Sequence, residues 1–316
     1  MRYLLTLLLC CILFVAGAQG PAYPHPVRYI TLTIEQQPVR MAYMDVRPQV
    51  PNGASVLLLH GKNFNGYYWK DVIARLAQAG YRVIVPDQVG WGLSDKPGIH
   101  YSFHLLARNT KALLDSLGIK EINVVGHSMG GMLAARFALM YPDAVRRLVL
   151  ENPIGLEDYR QFVPYRSPDE QFAQELKATP ASLKSYQQSY FPQWKAEYDQ
   201  YVDAQWRALQ YPDFRTATWA SALTYNMIYE QPVVHEFKNI RVPTLLIIGQ
   251  EDRTIVGKAL VPKALVGRHG NYPELGRWLQ ATIKGSKLLP LPGVGHIPHV
   301  QSPGAFHKAV LAFLAP

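Results

Sequence analysis

Short, nearly continuous apolar runs that alternate with helical segments constrain the fold of this chain most strongly. Five such runs have the length and composition of strands that are buried on both faces: 55–59 (SVLLL), 81–85 (YRVIV), 122–125 (INVV), 147–150 (RLVL) and 244–248 (TLLII). Between them, residues 68–79 and 103–117 repeat apolar side chains with helical spacing, and each segment stops at a glycine. This alternation predicts an α/β fold built on a doubly wound, mostly parallel sheet.

Three further runs complete the predicted sheet. Residues 27–34 and 39–46 alternate apolar and polar side chains, which predicts a half-exposed antiparallel pair. Residues 287–291 read as a last strand, and residues 306–314 as a closing helix. The sequence therefore predicts eight strands in one sheet.

The strand–helix rhythm breaks between residues 155 and 235. This segment has no buried-strand pattern and holds 16 of the 36 aromatic residues. We predict a helical cap here, inserted into a core made of residues 19–154 and 236–316. Two roles are open for its aromatic side chains. They line a ligand pocket, or most of them pack between the cap helices. Residues 267–285 look like a second, added helical segment that either borders the pocket entrance or decorates the surface.

The N-terminus has the features of an export signal. Arg2 precedes an apolar run that ends in small residues at Ala16, Gly17 and Ala18. This order is typical of a cleaved secretory signal, predicted here as residues 1–18. The run falls short of the ~20 apolar residues of a membrane-spanning helix, which makes an uncleaved anchor the weaker alternative. We expect export to the periplasm or out of the cell, without stable membrane insertion after cleavage.

Cysteine content and charge exclude several classes of function. Cys10 and Cys11 are the only cysteines and lie within the predicted signal, so we expect neither a disulfide framework nor a cysteine metal site. The formal net charge is +9, from 32 Lys+Arg against 23 Asp+Glu. A basic run or a nucleic-acid motif is missing, however, and the cap carries 7 basic and 10 acidic side chains. We therefore predict no nucleic-acid partner.

A predicted buried strand runs directly into Gly126-His127-Ser128-Met129-Gly130, and a predicted helix, residues 129–140, follows. A nucleophile on a sharp strand-to-helix turn needs small residues at both glycine positions, because side chains there would collide with neighbouring elements. The helix N-terminus would also favour a developing oxyanion. This context predicts that Ser128 is a nucleophile.

A serine hydroxyl needs a general base that a carboxylate orients. His296 follows the last predicted strand in a glycine-flanked loop, and Asp252 follows the strand 244–248. Both positions lie at the carboxyl edge of the sheet, where open α/β folds build their sites. We assign these two residues as base and orienting acid. The histidines that compete for the base are His127, His299 and His307, and the carboxylates that compete for the acid are Glu251 and Glu151.

The loop His60-Gly61-Lys62 directly follows the strand 55–59. Acyl transfer needs two preorganised N–H donors aimed at the oxyanion. We predict that these are the backbone amides of Lys62 and Met129, and that His60 braces its loop by hydrogen bonds.

With these motifs in this chain order, the sequence resembles the α/β-hydrolase fold superfamily, in the serine-hydrolase branch with a helical cap. The resemblance covers nearly the whole mature chain and includes the 86–94 loop (PDQVGWGLS). It implies Ser128 as nucleophile, His296 as base and Asp252 as its orienting acid, with no cofactor. Ser128 stands where haloalkane dehalogenases and epoxide hydrolases carry aspartate, and His127 stands where carbon–carbon bond hydrolases usually carry asparagine.

The sequence thus predicts a secreted serine hydrolase that cleaves a small to medium, hydrophobic carboxylic ester through an acyl-enzyme. Amidase, thioesterase, perhydrolase and carbon–carbon bond hydrolase activities remain open, because the same three residues serve them. A protein of a different class, which keeps the fold but only binds a hydrophobic ligand, is the other alternative. We expect no metal, and the oligomeric state is left open.

Overall fold

The structure is a computed structural model that describes residues 22–315, and the predicted signal lies outside them. Eight strands form one sheet: β1 Val27–Ile34, β2 Gln37–Val46, β3 Ser55–Leu59, β4 Arg82–Pro86, β5 Ile122–His127, β6 Val145–Glu151, β7 Thr244–Gly249 and β8 Lys287–Leu291. Their order in the sheet is β1-β2-β4-β3-β5-β6-β7-β8. The pairs β1–β2 and β2–β4 are antiparallel, and the other five pairs are parallel. The predicted fold class is confirmed.

Ten helices accompany the sheet in residues 22–315: α1 Lys70–Gln78, α2 Phe103–Ser116, α3 Met129–Met140, α4 Pro168–Glu175, α5 Pro180–Gln188, α6 Asp199–Leu209, α7 Phe214–Glu230, α8 Tyr272–Thr282, α9 Pro298–Gln301 and α10 Pro303–Leu314. The helix predicted at 68–79 begins instead as a short 3-10 turn, Gly66–Trp69, which Asn65 caps by accepting from the Tyr67 amide. Helices α1 and α10 pack together on one face of the sheet, and α2 and α3 pack together on the other.

The central strands contain nearly continuous apolar runs because both of their faces are covered. In β3, Leu57 and Leu59 belong to the core cluster under α2 and α3, whereas Val56 and Leu58 belong to the cluster under α1 and α10. Successive side chains of a strand point to opposite faces, so helices on both sides require an unbroken apolar run. The pattern that predicts these strands therefore has a direct structural cause.

The segment between β6 and β7 contains α4 to α7, within residues 155–235. Polar residues cap three of these helices: Ser167 forms a capping box with Glu170 before α4, Thr179 caps α5, and Asp213 caps α7. Helix α4 packs against α7, and α5 packs against α6. Local capping and pairwise packing, rather than a sheet, organise this segment.

Helix α8 occupies much of the segment 267–285, which the sequence suggested was an addition. It packs against β7 and β8, with Tyr272 and Leu279 buried. At Gly276 a Cβ atom would lie 3.1 Å from the Ile248 side chain, so this helix sits close against the sheet. Helix α8 is therefore part of the layer that covers the sheet, and the residues Gly267, His269 and Asn271 before it line a cavity.

Across residues 22–315, no helix combines the length and apolarity that crossing a membrane requires. The same residues contain no group of three or more His, Cys, Asp or Glu side chains arranged to hold a metal ion. Export, and the absence of membrane insertion after cleavage, stay predictions.

Candidate active site

Ser128 lies on a tight turn between β5 and α3. Its φ angle is 57°, in the left-handed region that side chains rarely adopt. Backbone hydrogen bonds hold this strained turn. The Ser128 amide donates to Glu151 O at 3.1 Å, and the Ser128 carbonyl accepts from the amides of Gly131 at 2.9 Å and Ile154 at 3.2 Å. The end of β6, the residues just after it and the first turn of α3 together fix the conformation of the serine.

The two glycines around Ser128 are required by close backbone packing. A Cβ atom on Gly126 would overlap the carbonyl oxygen of Gly130, and one on Gly130 would overlap the carbonyl oxygen of Leu59. Both obstacles are backbone atoms, which cannot rotate away as a side chain can. The Gly-x-Ser-x-Gly spacing is thus a packing requirement of this turn.

We expect Gly130→Ala to lower the free energy of unfolding by about 3 kcal/mol or more, since α3 and β3 must separate to admit the methyl group. The matched control is Gly304→Ala in α10, where a Cβ atom meets nothing within 4 Å. The control should be neutral or slightly stabilising, because alanine favours helix. Urea unfolding measures both variants, and a Gly130→Ala protein as stable as the wild type would contradict this account of the turn.

His296 and Asp252 approach Ser128 from the loops after β8 and β7. His296 Nε2 lies 2.9 Å from Ser128 Oγ, and His296 Nδ1 lies 2.7 Å from Asp252 Oδ2. All three residues are buried, with exposed fractions of 7% for Ser128, 1% for His296 and 2% for Asp252. A carboxylate can only accept, so Nδ1 carries the proton and Nε2 is free to accept from the serine hydroxyl.

Asn152, which the sequence analysis did not identify, holds the Asp252 carboxylate. Its side-chain NH2 group donates to Asp252 Oδ2 at 2.7 Å and to Gly295 O at 2.9 Å, and its Oδ1 accepts from Gly249 N at 2.7 Å. The other carboxylate oxygen of Asp252 accepts from the Thr254 amide at 2.8 Å. Asn152 therefore ties the end of β6 to both loops that carry the histidine and the aspartate.

The competing residue His127 lies behind the three residues instead of among them. Its Nε2 donates to His296 O at 2.8 Å, and its Nδ1 accepts from the Tyr68 hydroxyl at 3.1 Å. The same hydroxyl accepts from the Gly61 amide at 3.0 Å. This chain of hydrogen bonds connects the loop after β3 to the His296 loop. Burial holds the pKa of His127 well below its ordinary value, so the ring stays neutral.

Two other competing residues, Glu151 and His299, form a buried pair. The Glu151 carboxyl accepts from the His299 amide at 2.7 Å and lies 2.9 Å from His299 Nδ1. Burial raises the pKa of Glu151 to about 7 and lowers the pKa of His299 to about 3. The His299 ring stacks on Trp69 with ring centres 4.3 Å apart. This pair fastens the start of α9, and with it the His296 loop, to the end of β6.

The remaining competitors lie apart from Ser128. His307 is half-buried in α10, beside Phe306. Glu251 is exposed, although it adjoins Asp252. His60 Nε2 accepts from the Gln88 amide at 3.0 Å, which braces its loop in agreement with the sequence analysis.

The loop Gly61–Lys62 passes directly over the serine. A Cβ atom on Gly61 would lie 3.2 Å from the Ser128 Cβ, and the Lys62 carbonyl accepts from Trp91 Nε1 at 2.7 Å. In the part of the chain that the structure describes, neither the Lys62 amide nor the Met129 amide donates a hydrogen bond. Two backbone donors beside Ser128 thus remain free for a ligand oxygen.

The segment after α5 covers the site. The Tyr190 carbonyl accepts from the His296 amide at 2.7 Å, and the Tyr190 hydroxyl accepts from Asn63 Nδ2 at 2.9 Å. The Tyr190 and His296 rings lie 4.8 Å apart. A side chain from the inserted helices therefore shields the histidine from solvent, which strengthens the electrostatic interactions beneath it.

Comparisons with known proteins show the family of the chain. The profile of the alpha/beta hydrolase fold family matches residues 54–262. The crystal structure of a probable hydrolytic enzyme from Pseudomonas aeruginosa superposes with a TM-score of 0.91 at 45% sequence identity, covering 95% of this chain and 98% of that one. The 2-hydroxy-6-oxononadienedioate/2-hydroxy-6-oxononatrienedioate hydrolase of Paraburkholderia phymatum is 31% identical over 235 residues, covering 72% of this chain and 81% of its own.

An uncharacterised protein of Mycobacterium tuberculosis is 42% identical over 105 residues. That match covers 33% of this chain and 30% of the mycobacterial protein. It relates part of the two chains and carries no information on activity.

Proposed function

The chain belongs to the alpha/beta hydrolase fold family, and from this premise we propose that it is a serine hydrolase cleaving a small to medium carboxylic ester through an acyl-enzyme. The observation that carries the proposal is the pair of hydrogen bonds from Ser128 Oγ to His296 Nε2 and from His296 Nδ1 to Asp252 Oδ2. Together these bonds activate a hydroxyl that is unreactive by itself.

In the proposed acylation step, Ser128 Oγ attacks the ester carbonyl while its proton passes to His296 Nε2. Asp252 stabilises the imidazolium through Nδ1–H, and the amides of Lys62 and Met129 receive the negative oxygen. The imidazolium then gives its proton to the departing alcohol. Water then attacks the carbonyl of the acyl-enzyme while His296 Nε2 takes its proton. The histidine returns this proton to Ser128 Oγ as the carboxylic acid leaves.

A second candidate is cleavage of a carbon–carbon bond beside a ketone. It is favoured by the Paraburkholderia relative, whose name gives it a 2-hydroxy-6-oxo dienedioate as substrate. The same serine and histidine would serve this reaction, with a carbon leaving group that takes the proton. The residue His127 argues against carbon–carbon bond cleavage, because enzymes of that kind usually carry asparagine at this position.

The proposal is tested with p-nitrophenyl esters of graded acyl length, run beside matched anilides, thioesters and a 2-hydroxy-6-oxo dienoate. We expect hydrolysis of the esters, with an initial burst of p-nitrophenol stoichiometric with enzyme, because acylation by an activated ester outruns deacylation. Faster turnover of the dienoate than of every ester would favour the second candidate. Well-folded protein that cleaves none of these compounds would contradict the proposed function and favour a binding protein.

A further inference from the structure

Lys96 is a buried lysine without a counter-ion. Only 6% of its surface is exposed, and its ammonium donates to the carbonyl oxygens of Gly92 at 2.7 Å and Ser94 at 3.1 Å. Among residues 22–315, no carboxylate lies within ion-pair distance of it. Buried lysines are nearly always paired with an anion, because taking an ammonium out of water is costly. The unpaired charge therefore needs an explanation.

The acidic groups around Lys96 are already engaged elsewhere. The Asp87 carboxylate accepts from the amides of Gly66 and Leu93, and Asp95 forms an ion pair with Arg40. Burial lowers the pKa of Lys96 to about 8, although the charges of Asp87 and Asp95 oppose the shift. The ammonium thus remains largely protonated near neutral pH, and its neighbours are the two carbonyl oxygens and the face of the Tyr211 ring, whose centre lies 5.1 Å away, without an anion.

Lys96 lies on the wall of a cavity between the core and the inserted helices. Two loops of the core and the helices α6 and α7 form this core–cap cavity, which is lined by Lys62, Asn63, Phe64, Asn65, Gly90, Trp91, Gly92, Lys96, Gln205, Ala208, Leu209, Ala217 and Ser221. Carboxylates are absent from these lining residues. The lining residue Lys62 directly follows Gly61, where a Cβ atom would lie 3.2 Å from the Ser128 Cβ, so one wall of the cavity belongs to the loop that passes over the serine.

A second ammonium, that of Lys62, borders the same cavity. It donates to Ser221 Oγ at 2.9 Å and lies 3.5 Å from Glu175 Oε1. Glu175 therefore offsets the charge of Lys62, whereas Lys96 has no such partner. The cavity joins a net positive charge to amide and hydroxyl groups, which suits an anion with oxygen atoms that accept hydrogen bonds.

On the basis of the proposed hydrolase function, we infer that the core–cap cavity receives a carboxylate group of the substrate, with the Lys96 ammonium as its charged partner. The carboxylate supplies the anion that the buried lysine lacks, and it places the scissile ester over Ser128. Lys96 is thereby a residue that determines specificity, and the natural substrate is a half-ester of a dicarboxylic acid or an ester with an acidic alcohol portion.

Lys96 also stabilises its own loop through the two carbonyl contacts. A purely structural role and a role in binding a carboxylate predict different effects on charged and neutral substrates. A lysine that only held the loop would affect charged and neutral substrates alike. A lysine that binds a carboxylate affects the charged substrate more. The ratio of kcat/KM for a charged ester to that for its neutral counterpart separates the two roles.

The test uses 4-nitrophenyl hydrogen succinate, glutarate and adipate, each beside its methyl ester, which has the same acyl length without the charge. A second pair, 4-acetoxybenzoate and its methyl ester, places the charge on the alcohol portion. In the wild-type protein we expect a preference of about tenfold or more for the charged compound in one series, as for a hydrogen bond between charged groups. Equal kcat/KM for charged and neutral esters in every series would overturn the inference.

The variants are Lys96→Met, which keeps the length of the side chain, Lys96→Arg, which keeps the charge, and Lys120→Met as a control. Lys120 is exposed, and its change alters the net charge equally. We expect the preference to fall towards one in Lys96→Met and to persist in the other two variants. An unchanged preference in a folded Lys96→Met protein would also overturn the inference.

A binding experiment separates this inference from the proposed function. Glutarate and glutaramide are titrated calorimetrically into the wild-type protein and into Lys96→Arg. Binding of glutarate but not of glutaramide by both proteins supports the anion site even if no ester is cleaved. Equal or absent binding of the two compounds at millimolar concentration contradicts it, even if neutral esters are hydrolysed at Ser128.

Discussion

Ser128→Ala is expected to lower kcat/KM for ester hydrolysis by about 10⁴-fold or more. Alanine fits the turn without new contacts, so the fold should persist while the covalent route disappears. Only the backbone amides of Lys62 and Met129 would still stabilise an oxyanion, and water would have to replace the hydroxyl. Steady-state hydrolysis of a p-nitrophenyl ester measures the loss.

The matched control is Ser185→Ala, which removes an exposed hydroxyl from α5. Its kcat/KM should stay within about twofold of the wild type, because an isolated surface substitution alters little. A Ser128→Ala protein that keeps a tenth or more of wild-type activity would show that another group attacks the substrate.

Asp252→Asn is expected to lower kcat by about 10⁴-fold. Asparagine keeps the shape of the side chain, but its NH2 group faces a donor in either orientation, the Asn152 NH2 group or the Thr254 amide, so stability falls as well. The Thr254 amide donates to Oδ1, which favours an amide oxygen at that position. The new NH2 group would then face His296 Nδ1 at the place of Oδ2. Nδ1 would have to accept, so the ring proton would move to Nε2 and leave no base for Ser128. Flipping the amide restores the base but sets the NH2 group against the Thr254 amide.

Glu251→Gln is the control for Asp252→Asn, since it neutralises the adjacent, exposed carboxylate. It should keep kcat within about threefold of the wild type, because a solvated charge has little effect on a buried ring. Comparable losses in the two variants would mean that the net charge of this loop, and not the tautomer of His296, limits the reaction. The pH dependence of kcat recorded on both variants strengthens the comparison.

The arrangement of the core can be predicted from the sequence because its signals are local. A buried strand, a glycine-flanked serine and a helix follow one another between Ile122 and Met140. The loops that carry Asp252 and His296 follow strands that run parallel to β5. Since the carboxyl ends of parallel strands share one edge of a sheet, residues far apart in the chain meet there.

The layer behind Ser128 cannot be predicted in the same way. The Glu151–His299 pair joins residues 148 positions apart, and the His127–Tyr68 hydrogen bond joins residues 59 positions apart. Such pairs depend on how helices and strands pack, which no local pattern records. Glu151 and Asn152 did leave one signal, since two polar residues directly follow the apolar run 148–150 at the edge of the sheet that carries Ser128.

The packing of helix α8 could not be predicted for a related reason. The long stretch of sequence between Asp252 and His296 suggests an inserted helix. The extra length lies instead in the short turns that precede α8. The close contact of Gly276 with Ile248 shows that the helix covers the sheet. Helical periodicity alone does not say which surface a helix packs against.

The central claim is that Ser128 is the nucleophile of a covalent mechanism, and active-site labelling tests it most directly. The protein is treated with a fluorophosphonate, digested, and analysed by mass spectrometry for the modified peptide. We predict one adduct per chain, located on Ser128, and no labelling of Asp252→Asn on the same time scale, because its histidine cannot act as a base. An adduct on another residue, or well-folded wild-type protein that stays unlabelled, would contradict the claim.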